Sequence, residues 1–157
     1  MNYNDWLNSI PPSITNDALW QMQLYRTALF VGELAWYDSR KLIQDRSLIS
    51  LADQLYRAAG SISANISEGY SRASHKDQAR FYEYALGSAR EARDWYFKSR
   101  FVLTEPVAHH RLDLLTEVIR QLLVLVPKYR GTHIKEERIN YEPNERTDLF
   151  QEIPMPE

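Results

Sequence analysis

The chain has no cysteine, which excludes disulfide staples, a thiol nucleophile, a redox pair and cysteine-based zinc sites. Its four histidines, His75, His109, His110 and His133, never fall into the His-Glu-x-x-His spacing of a helical zinc site. A metal centre would need ligands assembled by the fold, so no metal or other cofactor is expected. The five glycines are scattered, and no glycine-rich loop is present to cradle a phosphate. No run of about 18 apolar residues occurs that would span a bilayer. The first residues, MNYNDWLNSIPPS, carry neither the basic start nor the apolar stretch of a secretory leader. These absences lead us to expect a soluble cytoplasmic protein with no membrane partner.

At 157 residues the chain suits one domain with a substantial core. Its net charge of −2 is unevenly placed. Residues 131 to 157 hold seven acidic and three basic side chains; subtracted from the totals of 21 and 19, these leave 14 acidic and 16 basic residues in positions 1 to 130. The body is mildly basic and the tail acidic. A net +2 is well below the bias that announces nucleic-acid binding by itself.

Four segments have helical periodicity. After Pro11 and Pro12, with Thr15 and Asn16 as candidate caps, the residues Ala18, Met22, Tyr25, Leu29, Gly32 and Trp36 recur every three or four positions, predicting a helix over about 16–40. A second helix is expected over 47–71, carrying Leu48, Leu51, Leu55, Ala58, Ile62, Ile66 and Gly69 on one stripe. Ser74 and Asp77 form a capping-box-like start for a third, which runs to about Arg100. Glu105 and Pro106 open a fourth, and Pro127 and Gly131 mark its end. Short connections and the lack of a matching strand pattern predict an all-α, antiparallel up-and-down four-helix bundle over 16–130. Residues 1–15 read as an N-terminal tail. Residues 131–157, with Pro143, Pro154 and Pro156, read as an acidic tail draped on the surface or partly disordered. The alternative for that tail is a docking element for a neighbour or protein partner, centred on Asp148, Leu149, Phe150, Gln151, Glu152 and Ile153.

The stretch RAAGSISANISEGYSR at 57–72 is unusual for a core helix, being rich in small and polar residues. A helical wheel sorts it into three faces. Leu55, Ala58, Ala59, Ile62, Ile66 and Gly69 form the core stripe, while Arg57, Ser61, Asn65, Glu68 and Arg72 form a polar stripe beside it. Gly60, Ala64, Ser67 and Ser71 make a face of small residues that would admit another helix at close range. For the polar stripe we expect an interhelical network in which Arg57 meets Glu91, with Ser61, Asn65, Glu68 and Ser88 nearby, fixing helix registry. A catalytic reading of Glu68 and Glu91 lacks a third group with an evident substrate role. Ser61, Ser63, Ser67 and Ser88 have no histidine base nearby in sequence. No enzymatic activity is expected.

The third helix carries Phe81, Tyr82, Tyr84, Leu86, Ala89, Trp95, Tyr96 and Phe97. Together they cover about 220° of its circumference, more than one core-facing stripe needs. That surplus points to self-association, unless the tail covers it. Arg72, Arg80, Arg90, Arg93 and Lys98 are the candidate contacts for RNA or DNA, which a ring of copies would multiply into a basic surface.

The order and spacing of Gln54, Arg57, Ala58, Ala59, Ser61, Ile62, Asn65, Ile66, Glu68, Gly69, Arg72 and Ser74, then Ala85, Gly87, Ser88 and Glu91, resemble the four-helix-bundle proteins of the 23S rRNA-intervening-sequence (S23) family. The resemblance covers about positions 48–100. It implies an up-and-down four-helix bundle assembled as a homopentamer, without an established biochemical role. It also implies an alternative, because related bundles that act as accessory factors of diversity-generating retroelements bind nucleic acid and a reverse transcriptase. The reading favoured by the sequence is a non-enzymatic, homo-oligomeric binding or scaffolding protein.

Overall fold

The computed structural model describes residues 2–131 and 149–157. Within them the chain is all-α, with helices α1 (Tyr3–Ser9), α2 (Pro12–Thr15), α3 (Gln23–Leu42), α4 (Ile49–Tyr70), α5 (His75–Ser99) and α6 (Glu105–Arg130). No strand occurs among the described residues. Short 3-10 turns at Ala18–Gln21 and Arg46–Leu48 lead into α3 and α4. The long helices α3 to α6 form a bundle in which each packs on its successor, while the return contact between α3 and α6 is much the weakest. That unequal closure leaves a seam.

Local chemistry explains most boundaries. Ser74 caps α5 by accepting from the Asp77 amide at 3.1 Å, as the sequence suggested, and the Asp77 carboxylate accepts from the Ser74 hydroxyl at 2.8 Å, where a capping box would have it accept from the Ser74 backbone amide. Gly131 ends α6 in the left-handed region at φ 71°, where a side chain would be strained. Pro127 does not stop α6, which continues through it to Arg130.

The first long helix starts at Gln23, later than the expected position 16, because Asp17 instead caps the Ala18–Gln21 turn through the Leu19 amide at 2.8 Å. This turn buries Leu19 and brings Trp20 within 6.4 Å of Trp6. Residues 3–9, expected as tail, form α1 because Trp6 has an apolar site to enter, beside Phe30 with ring centroids 4.8 Å apart.

The periodic residues that announce α3 are not its buried ones. Leu24, Ala28, Val31, Leu34, Ala35, Asp38 and Leu42 face the core, whereas Leu29 and Gly32 are half-buried and Trp36 is exposed. α3 therefore carries apolar residues on two sides. The core face of α5 is likewise turned toward Tyr82, Ala85, Ala89, Ala92 and Tyr96, leaving Ser88 and Trp95 at its edge.

Gly69 shows why α4 needs a glycine on its core stripe. A Cβ there would lie 2.8 Å from the Tyr82 ring and 3.2 Å from the Phe81 Cβ, closer than carbon atoms pack. Its absence lets α4 and α5 approach where they join. Tyr82 fills the space, and burial pushes its hydroxyl pKa up to about 12.

Candidate functional site

The polar stripe of α4 is satisfied locally. Arg57 lies 3.8 Å from Asp53 on its own helix, with both side chains exposed. The Ser61 hydroxyl donates to the Arg57 carbonyl at 2.8 Å, and the Asn65 amide to the Ser61 carbonyl at 2.8 Å. Glu68 accepts from Arg72 at 2.8 Å. On α5, Ser88 donates to the Tyr84 carbonyl at 3.0 Å and Glu91 accepts from the Trp95 indole at 3.3 Å. The expected meeting of Arg57 with Glu91 does not occur within the chain. Hydroxyl and amide side chains on a helix find the carbonyl one turn back, and the turned core face of α5 leaves Glu91 exposed.

The candidate nucleic-acid contacts also have neighbours of their own. Arg72 and Arg80 flank the Phe81 ring, at 4.5 and 5.5 Å, and pair with Glu68 and Asp77. Lys98 pairs with Asp94 and lies over Trp95 at 4.2 Å. Arg93 donates to Thr116 at 3.3 Å on α6, and burial together with Arg90 lowers its pKa.

A polar cluster that the sequence reading missed lies in the interior. The Arg111 side chain, 2% exposed, donates from Nε to Asp38, 0% exposed, at 2.8 Å. Its Nη2 reaches the other Asp38 oxygen at 3.2 Å and the Pro154 carbonyl at 2.9 Å, while Nη1 donates to His110 Nδ1 at 2.8 Å. The Tyr96 hydroxyl also donates to Asp38 at 2.8 Å. Burial, and then the adjacent Asp38 charge, raise the Tyr96 pKa well above its ordinary value. The cluster thus joins α3, α5 and α6 and reaches the C-terminal segment.

The partners of His110 fix its tautomer. Nε2 lies 2.9 Å from the Leu149 carbonyl, which can only accept, so Nε2 carries the proton. Nδ1 faces a guanidinium, which can only donate, so Nδ1 is bare. Burial and the Arg111 charge hold the ring neutral, with its pKa lowered to about 4.

Two grooves flank α3. The α3/α6 seam is filled: Trp6 and Ile153 are buried in it, Leu149, Phe150 and Met155 pack against the core, and Tyr3 stacks between Phe30 at 4.9 Å and Phe150 at 4.5 Å. The Leu149 to Ile153 part of the expected docking element therefore packs on its own chain, while Asp148 lies outside the described residues. The second groove, between α3 and α4, is an open trough lined by Leu29, Gly32, Trp36, Tyr56, Gly60 and Ala64. A Cβ placed at Gly32 or Gly60 would meet nothing within 4 Å. Trp36 and Tyr56, 46% and 44% exposed, stand beside it with their rings 5.9 Å apart.

Among the described residues no group of three or more metal-ligating side chains converges, and no helix is long and apolar enough to cross a membrane. No curated protein and no solved structure matched the chain. The sequence profile described as 23S rRNA-intervening sequence protein matches residues 22–123. This span runs from the start of α3 into α6 and takes in Asp38, the α4 stripes and Arg111, and on its strength the chain belongs to the 23S rRNA-intervening sequence protein family.

Proposed function

We propose that this protein is a non-enzymatic binding or scaffolding module built from an antiparallel four-helix bundle that associates with copies of itself. The observation that carries this reading is the α3/α4 trough. Among the described residues no contact requires Gly32 or Gly60, yet a glycine inside a helix costs about 1 kcal/mol relative to alanine. Small residues at a helix surface let a second helix approach closely, and Trp36 and Tyr56 beside them supply aromatic area of the kind that anchors interfaces. A second copy is the occupant, because the outward stripe of α3 repeats the helical spacing of a buried face. Phe97, Phe101 and Tyr84, 51%, 81% and 52% exposed, add apolar surface apart from the residues that line the trough, and a head-to-tail ring uses two different surfaces of each copy. The family resemblance puts the ring at five copies.

Solution mass by light scattering tests this. The full-length protein is expected to run as several chains at micromolar concentration, and Gly60→Leu, which adds bulk to the trough at a position where a Cβ meets nothing within 4 Å, to run as one. A single-chain mass for the unaltered protein would sink the proposal.

Nucleic-acid binding is the second reading, supported by Arg72 and Arg80 around Phe81 and Lys98 over Trp95, a cation and aromatic arrangement suited to stacked bases. It predicts retardation of RNA or DNA at low salt that fades steeply as salt rises. No retardation at low salt rejects it.

A further inference from the structure

The α3/α6 seam is built by one part of the chain and occupied by others. Phe30, Asp38, His110 and Arg111 all lie inside the family span of 22–123, whereas Tyr3, Trp6 and residues 149–155 lie outside it. The seam also presents a specific pattern. At its α6 wall, two donors on adjacent residues, His110 Nε2 and Arg111 Nη2, meet the backbone carbonyls of Leu149 and Pro154. With the segment in place His110 is 4% and Arg111 2% exposed, so the two carbonyls take the place of water on these donors. Apolar sites beside them receive Ile153, 5% exposed, and Phe150 against Tyr3.

Two backbone carbonyls held by fixed donors, with Phe150 and Ile153 in apolar sites, make the turn at 149–152 and the residues after it fit the seam as a short peptide fits a groove. The final proline residues suit such a ligand, since Pro154 and Pro156 restrict the free segment and reduce the entropy lost on docking. From these observations we propose that the α3/α6 seam is a peptide-binding groove. Residues 149–155 are its detachable ligand, able to exchange with the same segment of a second copy. The required chemistry is a turn that carries an aromatic residue and leads into a branched apolar residue three positions on, here Phe150 and Ile153, followed by proline. Covalent reach leaves the segment slack to dock and to leave. From His110 to Gly131 the helix rises about 32 Å, and the chain from Gly131 to Leu149 spans at most about 60 Å. This groove is separate from the α3/α4 trough, so its test does not depend on the self-association reading.

The test uses full-length protein carrying a protease site in place of residues 138–144, cut after folding. On gel filtration at micromolar concentration the 149–157 fragment is expected to stay with the body. A 100-fold excess of fluorescent synthetic peptide of sequence 149–157 should then replace it, saturating at one peptide per chain, while a peptide carrying Ile153→Asp should not. Loss of the fragment on cutting overturns the proposal, whether the body stays folded by circular dichroism or unfolds; the first outcome shows no binding and the second an integral part of the fold. A retained fragment that excess peptide cannot replace also overturns it.

Discussion

The two grooves along α3 differ in how their polar and small residues are used. In the α3/α6 seam the polar groups are buried and fully engaged, with Arg111 held by Asp38, His110 and the Pro154 carbonyl. In the α3/α4 trough small residues lie beside Trp36 and Tyr56, and a Cβ at Gly32 or Gly60 would meet nothing within 4 Å. A buried charge is stable only when its partners are present, so the seam calls for a segment that supplies the carbonyls of Leu149 and Pro154, from this chain or from a second copy. The trough makes no such demand.

The contrast can be broken most severely at the buried pair. Arg111→Ala leaves Asp38 without its cation and is expected to cost about 3–5 kcal/mol in urea unfolding, whereas Asp38→Leu combined with Arg111→Met should cost far less. A single variant no worse than the double would mean that the pair is not screened from water.

Two glycines on α4 should respond in opposite directions. Gly69→Ala drives a methyl group into the Tyr82 ring and should destabilise by about 2 kcal/mol, within the usual range for overpacking. Gly60→Ala meets nothing within 4 Å. At dilutions where single chains dominate it should stabilise by about 0.5–1 kcal/mol, the smallest effect of the set. Paired melting curves read both signs.

Between these in size lies the pH dependence of the seam. His110 has a folded pKa of about 4, below the ordinary histidine value of 6.5. Its contribution is therefore complete above pH 6.5 and is lost as pH falls toward 4. Between pH 7 and 5.5 the protein should lose about 1.5 kcal/mol from this group. Subtracting the same titration of His110→Gln isolates it from the other histidines. A difference that stays flat with pH would show that the ring is not held neutral.

The stretch at 57–72 was legible in its core stripe: Leu55, Ala58, Ala59, Ile62, Ile66 and Gly69 are all buried. Its polar stripe was not, because a helical wheel gives a side chain's direction but not whether its own backbone satisfies it first. Ser61 and Asn65 bond one turn back, and no interhelical network forms from them. The cluster that does join helices had a readable signal. Asp38 follows Val31, Leu34 and Ala35 on an apolar stripe, and Arg111 sits between Val107 and Leu114 on another. Opposite charges isolated on the apolar faces of two helices are a signature of a buried pair. α1 and the docking of residues 149–155 were hidden for another reason. Both depend on the gap between α3 and α6, which no local pattern encodes.

The seam also sets a timetable for synthesis. His110 and Leu149 are 39 residues apart, so at about 5–20 residues per second the ribosome makes His110 roughly 2–8 s before the carbonyl that completes its hydrogen bonding. During that interval a nascent chain can assemble α3 to α5, but the α6 wall with Arg111 still lacks its last acceptors. Residues 149–154 supply these last acceptors, so a nascent chain that has not reached them differs chemically from a longer one at two interior donors, His110 Nε2 and Arg111 Nη2, while the Arg111 charge is already paired with Asp38.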